Sequence, residues 1–262
     1  MAKLRYFDCN CSIGRTPYPQ LLDISDAGGL VREMDTAGIE EALVYHSVAK
    51  DCDPALGNRL LEEAIADNDR LHPCWVVLPH HTGEMPEPMA LLNEMERKGV
   101  KAVRMYPTKD FHSFSLAEWN CGELLAALEE ARVPLMLDLE IVWWEAIVAI
   151  LVNHPRLPVI ATNVSYRHNR FTYPLFAKHE NLYLETSRYF GAGVFEDVVS
   201  RFGSRHILLG SNMPRFTGTS VVSMLTYADI PHSDKEAIAG GNLQRLLTVS
   251  YTHLTLPTIL LV

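Results

Sequence analysis

Strand-like and helix-like segments alternate along the whole chain, and this alternation restricts the fold more than any single motif does. Short apolar runs suited to buried strands fall at 3–8, 41–46, 75–78, 100–106, 135–139, 158–162, 182–186 and 207–210. Helical periodicity fills the intervals. The segment 53–69 carries Leu56, Leu60, Leu61, Ala64 and Ile65 at helical spacing, with Asp53 as N-cap and Pro54 at the first position. A helix ending over 33–37 is closed by Gly38, others cover 89–98, 116–132, 143–152 and 194–202, and 220–228 and 234–247 supply two closing helices. The stretch 166–180 stays open, since Pro174 limits helix there. Eight strands alternating with helices predict a closed (β/α)8 TIM barrel in a single domain. An open doubly wound sheet is disfavoured, because no Gly-x-Gly-x-x-Gly turn follows any strand.

The 262 residues suit such a barrel, which takes about 250. No apolar run approaches the roughly 20 residues of a membrane span, and the opening Met-Ala-Lys-Leu-Arg-Tyr-Phe-Asp has no apolar signal core, so a cytoplasmic protein is expected. Five cysteines without Cys-x-x-Cys spacing read as free, mostly buried thiols. A net charge of −9 excludes nucleic acid and acidic membranes as partners. The last stretch, 249–262, has no formal charge and no pattern that packs onto a barrel. It resembles translated sequencing-adapter read-through and is expected to be a non-native, disordered tail after a domain spanning 1–248.

The first strand ends in Phe7-Asp-Cys-Asn-Cys-Ser-Ile-Gly14. Strict alternation along an extended chain puts Asp8, Asn10 and Ser12 on one side, at a pocket, and turns Cys9 and Cys11 away from it. This stretch resembles the Asp-x-His-x-His-x-Gly motif of the amidohydrolase superfamily, in its amidohydrolase-related branch. Three further phrases resemble the same family: Gly99-Val-Lys-Ala-Val-Arg-Met-Tyr-Pro107 at strand four, Arg156-Leu-Pro-Val-Ile-Ala-Thr-Asn163 at strand six and Arg205-His-Ile-Leu-Leu-Gly-Ser-Asn-Met-Pro214 at strand eight. Gly241-Asn-Leu-Gln-Arg-Leu-Leu247 resembles its closing helix.

The resemblance implies a catalytic zinc held by two histidines on strand one and one each on strands five and six, with an aspartate on strand eight as base. Those positions here hold Asn10, Ser12, Asp138, Asn163 and Asn212. Amide and hydroxyl oxygens are poor zinc ligands, and one or two carboxylates are few for magnesium. The reading is therefore a substituted metal site with no cofactor. The amide of Asn212 cannot take a proton from water, so the family's mechanism does not carry over.

In barrels of this kind the carboxyl ends of the strands carry function. Arg104, Arg188 and Arg215 read as a clamp for a carboxylate or phosphate, since guanidinium binds such groups through paired hydrogen bonds. The same arginines could instead pair with Asp138, Glu140 or Glu185 as scaffolding. His46 and Asp138 are the candidate bases, and Tyr106, Glu140, Asn10, Ser12, Asn163 and Asn212 complete the candidate substrate-binding set. Two functions follow. One is a hydrolase or lyase acting without zinc on a small anionic substrate; the other is an inactive barrel that binds a small anionic ligand or a protein partner. The resemblance also implies a homodimer.

Overall fold

The computed structural model describes residues 3–251. Eight parallel strands form one sheet in sequence order: β1 (Tyr6–Ile13), β2 (Ile39–His46), β3 (Leu71–Val76), β4 (Ala102–Arg104), β5 (Leu135–Asp138), β6 (Val159–Thr162), β7 (Leu182–Glu185) and β8 (Ile207–Leu208). The sheet closes on itself. Cys9 N–H donates to the Leu209 carbonyl at 2.9 Å, Ser12 N–H donates to Met213 at 2.8 Å, and Cys11 bridges to Met213 in parallel register. The predicted (β/α)8 barrel is the observed fold.

Local chemistry sets the helices. Asp53 accepts from Leu56 N–H at 2.9 Å and Pro54 opens the helix Pro54–Ile65, while Gly38, at φ 77°, ends Ala27–Ala37 in the left-handed conformation that lacks a Cβ penalty. The open stretch resolves into a 3₁₀ turn, Tyr166–His168, and a helix, Asn169–Phe176, that tolerates Pro174 two residues before its end. There the missing N–H costs a single ladder bond.

Two cores follow from strand alternation. Side chains facing the helices, among them Val44, Val103, Leu137, Ala161 and Leu184, pack with Leu30, Leu61, Leu92, Leu128 and Ile147. Inside the barrel, Phe7, Cys9, Leu43, Cys74, Ala102, Met136, Ile160 and Leu208 form a second cluster with Leu243, Leu246 and Leu247 of the helix Asn242–Val249. That helix plugs the amino-terminal end of the barrel, each buried leucine contributing roughly 1.5–3 kcal/mol. Tyr251 Oη donates to Val100 at 2.5 Å, its N–H donates to Ala131, and Ser250 is buried. Residues 249–251 therefore belong to the packed domain, and the rest of the expected tail lies outside the described residues.

Strict alternation fails in β1. Its register against β2 slips by one residue between Asp8, paired with Ala42, and Cys11, paired with Val44. Below the slip Phe7 and Cys9 face the barrel interior; above it Asn10 and Ser12 do, and Cys11 joins the outer core. Cys9 and Cys11, expected on one side of the strand, are parted by this extra residue, Cys9 into the inner apolar cluster and Cys11 into the outer core, and neither lines the cavity at the strand ends. Burial raises the Cys9 thiol pKa well above the ordinary value.

Candidate functional site

A cavity of about 380 Å³ opens at the carboxyl ends of the strands. Its floor is Arg104, its walls include Ser12, Tyr45, Asp138 and Asn212, and Glu140 and Arg215 stand at the rim. Arg104 is 4 % exposed. Its Nη2 donates to Asn10 Oδ1 at 2.5 Å, its Nη1 donates to the Tyr106 hydroxyl at 3.2 Å, and its guanidinium lies 4.6 Å from the Tyr45 ring centroid. Among the described residues no carboxylate oxygen forms an ion pair with it. A buried cation held by neutral groups retains its charge for something else.

Asn10 is fixed from the other side. Its Nδ2 donates to Glu185 Oε2 at 3.2 Å, and that carboxylate also accepts from the Ser187 hydroxyl at 2.9 Å and from Asn163 N–H at 3.2 Å. Gly210 leaves room for Glu185, since a Cβ there would meet its Cγ at 2.4 Å. Burial pushes Glu185 up to about 7, against the hydrogen bonds from Ser187 and Asn163.

At the mouth a chain of amides leads to Asp138. Asn212 Nδ2 donates to Asn163 Oδ1 at 2.9 Å, Asn163 Nδ2 donates to Asp138 Oδ2 at 2.7 Å, and Glu140 N–H donates to Asp138 Oδ1 at 2.9 Å. Burial raises the Asp138 pKa, opposed by the hydrogen bond from Glu140 N–H and by the charges of Lys50 and Arg104. Glu140 takes both rim arginines, accepting from Arg188 and Arg215. Burial works against its charge, but Arg215 first and then Arg188 and Lys50 hold it below its ordinary range.

Six of the eleven residues singled out from sequence, Ser12, Arg104, Asp138, Glu140, Asn212 and Arg215, line this cavity; Asn10, Tyr106 and Asn163 stand behind them, hydrogen-bonded to Arg104 or Asp138, and His46 and Arg188 do not line it. His46 Nδ1 accepts from Val48 N–H at 3.2 Å and so caps the helix Ser47–Asp51, with its ring against Gly14. Burial lowers its pKa. Arg188 sits outside the lining and is committed to Glu140. Sequence reasoning missed Lys50, Tyr45 and Phe111. Lys50 Nζ lies 5.3 Å from the Tyr106 centroid and 5.0 Å from that of Phe111, and among the described residues it has no ion pair. The signal was the placement of 47–52 in the loop after strand two, where a barrel of this kind keeps its function.

The four positions that would hold zinc, and the fifth that would hold the base, do not suit that ion. They offer one carboxylate, three amides and a hydroxyl. The oxygens of Asp138, Asn163 and Asn10 already accept from Asn163, Asn212 and Arg104.

The fold and this mouth define a parallel (β/α)8 barrel with a polar, cation-bearing site at the strand ends. The amidohydrolase family profile matches residues 22–249, and the chain belongs to that family. No curated protein matches it by sequence. An uncharacterised TIM-barrel protein from Bordetella bronchiseptica superposes with a TM-score of 0.73 at 17 % identity, covering 94 % of this chain and 99 % of the other. A putative 2-pyrone-4,6-dicarboxylic acid hydrolase from Pseudomonas putida gives 0.68 at 14 % identity over 95 % and 99 %. A dihydroxybenzoic acid decarboxylase from a Polaromonas species, with bound manganese and the inhibitor 2-nitroresorcinol, gives 0.65 at 16 % over 94 % and 98 %.

The expectation of no cofactor is corrected by these comparisons. A structure of the same fold holds manganese, an ion that takes carboxylate, carbonyl and water ligands without needing imidazole. Losing the histidines therefore does not make a site of this family cofactor-free. Among the described residues no helix is long and apolar enough to cross a membrane.

Proposed function

We propose that this chain is an enzyme of the amidohydrolase type, a hydrolase or lyase that acts on a small carboxylate- or phosphate-bearing substrate in the cytoplasm. The observation that carries this reading is Arg104, a buried guanidinium at the cavity floor with no carboxylate partner among the described residues. An anionic group of the substrate docks on it by charge-assisted hydrogen bonds, while Tyr45 and Phe111 supply flat walls for a planar body. Asp138 moves the proton. Its raised pKa suits a group that takes a proton from water in hydrolysis or returns one to carbon after loss of carbon dioxide. Arg215 and Glu140 close the rim. Five cysteines without a disulfide, Cys52 exposed, are consistent with a reducing compartment.

The test is a panel of small aromatic and cyclic carboxylates, with phenyl phosphate alongside. Binding is read by calorimetry and turnover by mass spectrometry. Arg104→Met should weaken binding by about tenfold or more, and Asp138→Asn should abolish turnover while leaving binding. Binding with no turnover of any member would leave a ligand-binding barrel instead, and binding indifferent to Arg104→Met would remove the anion-site reading.

A further inference from the structure

Lys50 has no place in the reading so far. It stands on the wall of the cavity, on the helix Ser47–Asp51, over the faces of Tyr106 and Phe111. Arg104 approaches Tyr106 at its hydroxyl. Two cations thus flank one aromatic ring from different sides, and among the described residues neither is in an ion pair. The third cation of the lining, Arg215, is spent on Glu140 through both terminal nitrogens.

Lys50 is also held in place rather than waving from a loop. Its helix is capped by His46 at one end. Ser47 Oγ donates to the Arg15 carbonyl at 2.7 Å. Gly57 lies against the helix so closely that a Cβ there would meet Ala49 N at 2.1 Å. The nearby carboxylates are Asp51, Asp138 and Glu140. Burial raises the first two against the opposing charge of Lys50, Glu140 is shared between two arginines, and among the described residues none of the three forms an ion pair with Lys50. An ammonium so fixed above aromatic faces, and among the described residues in no ion pair, is an anchor for an anion brought by the ligand.

We propose that Lys50 is a second anion anchor, and that the site selects small planar dicarboxylates, one carboxylate on Arg104 and the other on Lys50. This rests on the reading of Arg104 as the primary anion site. It adds a substrate class, doubly anionic, and a specificity-determining residue.

The experiment compares benzoate with its three dicarboxylate isomers, phthalate, isophthalate and terephthalate, by calorimetry on the full chain. At least one isomer should bind about tenfold more tightly than benzoate. In Lys50→Met the ratio of the two dissociation constants should collapse to about two, the statistical value for two equivalent groups. In Lys50→Arg, which keeps the charge, the ratio should survive. Thermal unfolding of each variant checks that the fold is intact. Benzoate binding with no isomer preferred, or a ratio that survives Lys50→Met, overturns this inference and leaves the Arg104 site standing. Failure of benzoate and of every isomer to bind overturns both.

Discussion

Asn163 donates its side-chain amide to Asp138 at 2.7 Å, and it does so from a left-handed backbone with φ 57°. Asn212, which donates to Asn163 in turn, has φ 58°. Asparagine is among the few side-chain-bearing residues that adopt this conformation readily. At the ends of β6 and β8 the turn chemistry and the amide chain therefore ask for the same residue. An amide donor on Oδ2 favours the ionised form of Asp138 against the burial that raises its pKa.

Asn163→Gly keeps the backbone and removes the donor. The Asp138 pKa then rises further, and if this carboxylate is the base, the acidic limb of kcat/KM moves to higher pH by about 0.5–1 unit. A pH–rate profile of the variant against the parent measures the shift. An unmoved limb would mean that Asp138 is not the titrating group.

Glu185 makes a stability prediction of defined sign. Its carboxyl is pushed from 4.5 to about 7 by burial. Between those values the folded chain holds a proton that the unfolded chain releases. This group therefore stabilises the fold less as pH rises through that window, by an amount on the order of 3 kcal/mol in total. Urea midpoints at pH 5 and pH 8 should fall more steeply for the parent than for Glu185→Gln. The difference in slope is the readout, since the substitution also changes the hydrogen bonds to Ser187 and Asn163.

His46 acts as a helix cap, so His46→Ala should cost about 1 kcal/mol of stability, and His46→Asn, which retains an acceptor, much less. Activity per folded molecule should stay within about threefold in either, the scale of a substitution remote from the reacting atoms. A hundredfold fall in kcat at unchanged thermal stability would return the histidine to the catalytic set.

Gly57→Ala drives a Cβ into the backbone of Ala49. The helix Ser47–Asp51 must shift, at about 1–3 kcal/mol, and it carries Lys50 with it. Chemical unfolding should register the loss of stability. Calorimetry on the still-folded variant should register a loss of preference for dicarboxylates over benzoate.

The barrel was legible because each strand is a short apolar run closed by turn residues, and each strand found from sequence overlaps an observed one. That Asp138, Asn163 and Asn212 stand together beyond the strand ends was legible for the same reason. What escaped was whatever depends on pairing across the chain. Glu140 meets Arg188 and Arg215 at separations of 48 and 75 residues, so no local pattern could tell a free arginine from a committed one. Lys50 was lost because 47–51 is one short turn of helix, too brief to show periodicity. The parting of Cys9 from Cys11 was lost to a one-residue slip in β1 that leaves no mark in composition.

That slip separates the two ends of one strand. Below it, Phe7 and Cys9 keep step with the apolar cluster around Leu243; above it, Asn10 and Ser12 keep step with the mouth. Without the extra residue, Cys11 and Ile13 would turn inward in their place, and Arg104 would face a thiol and a hydrocarbon. The foundation and the workings of this barrel are thus geared independently, so the residues at its mouth can be exchanged while the packing beneath them stands.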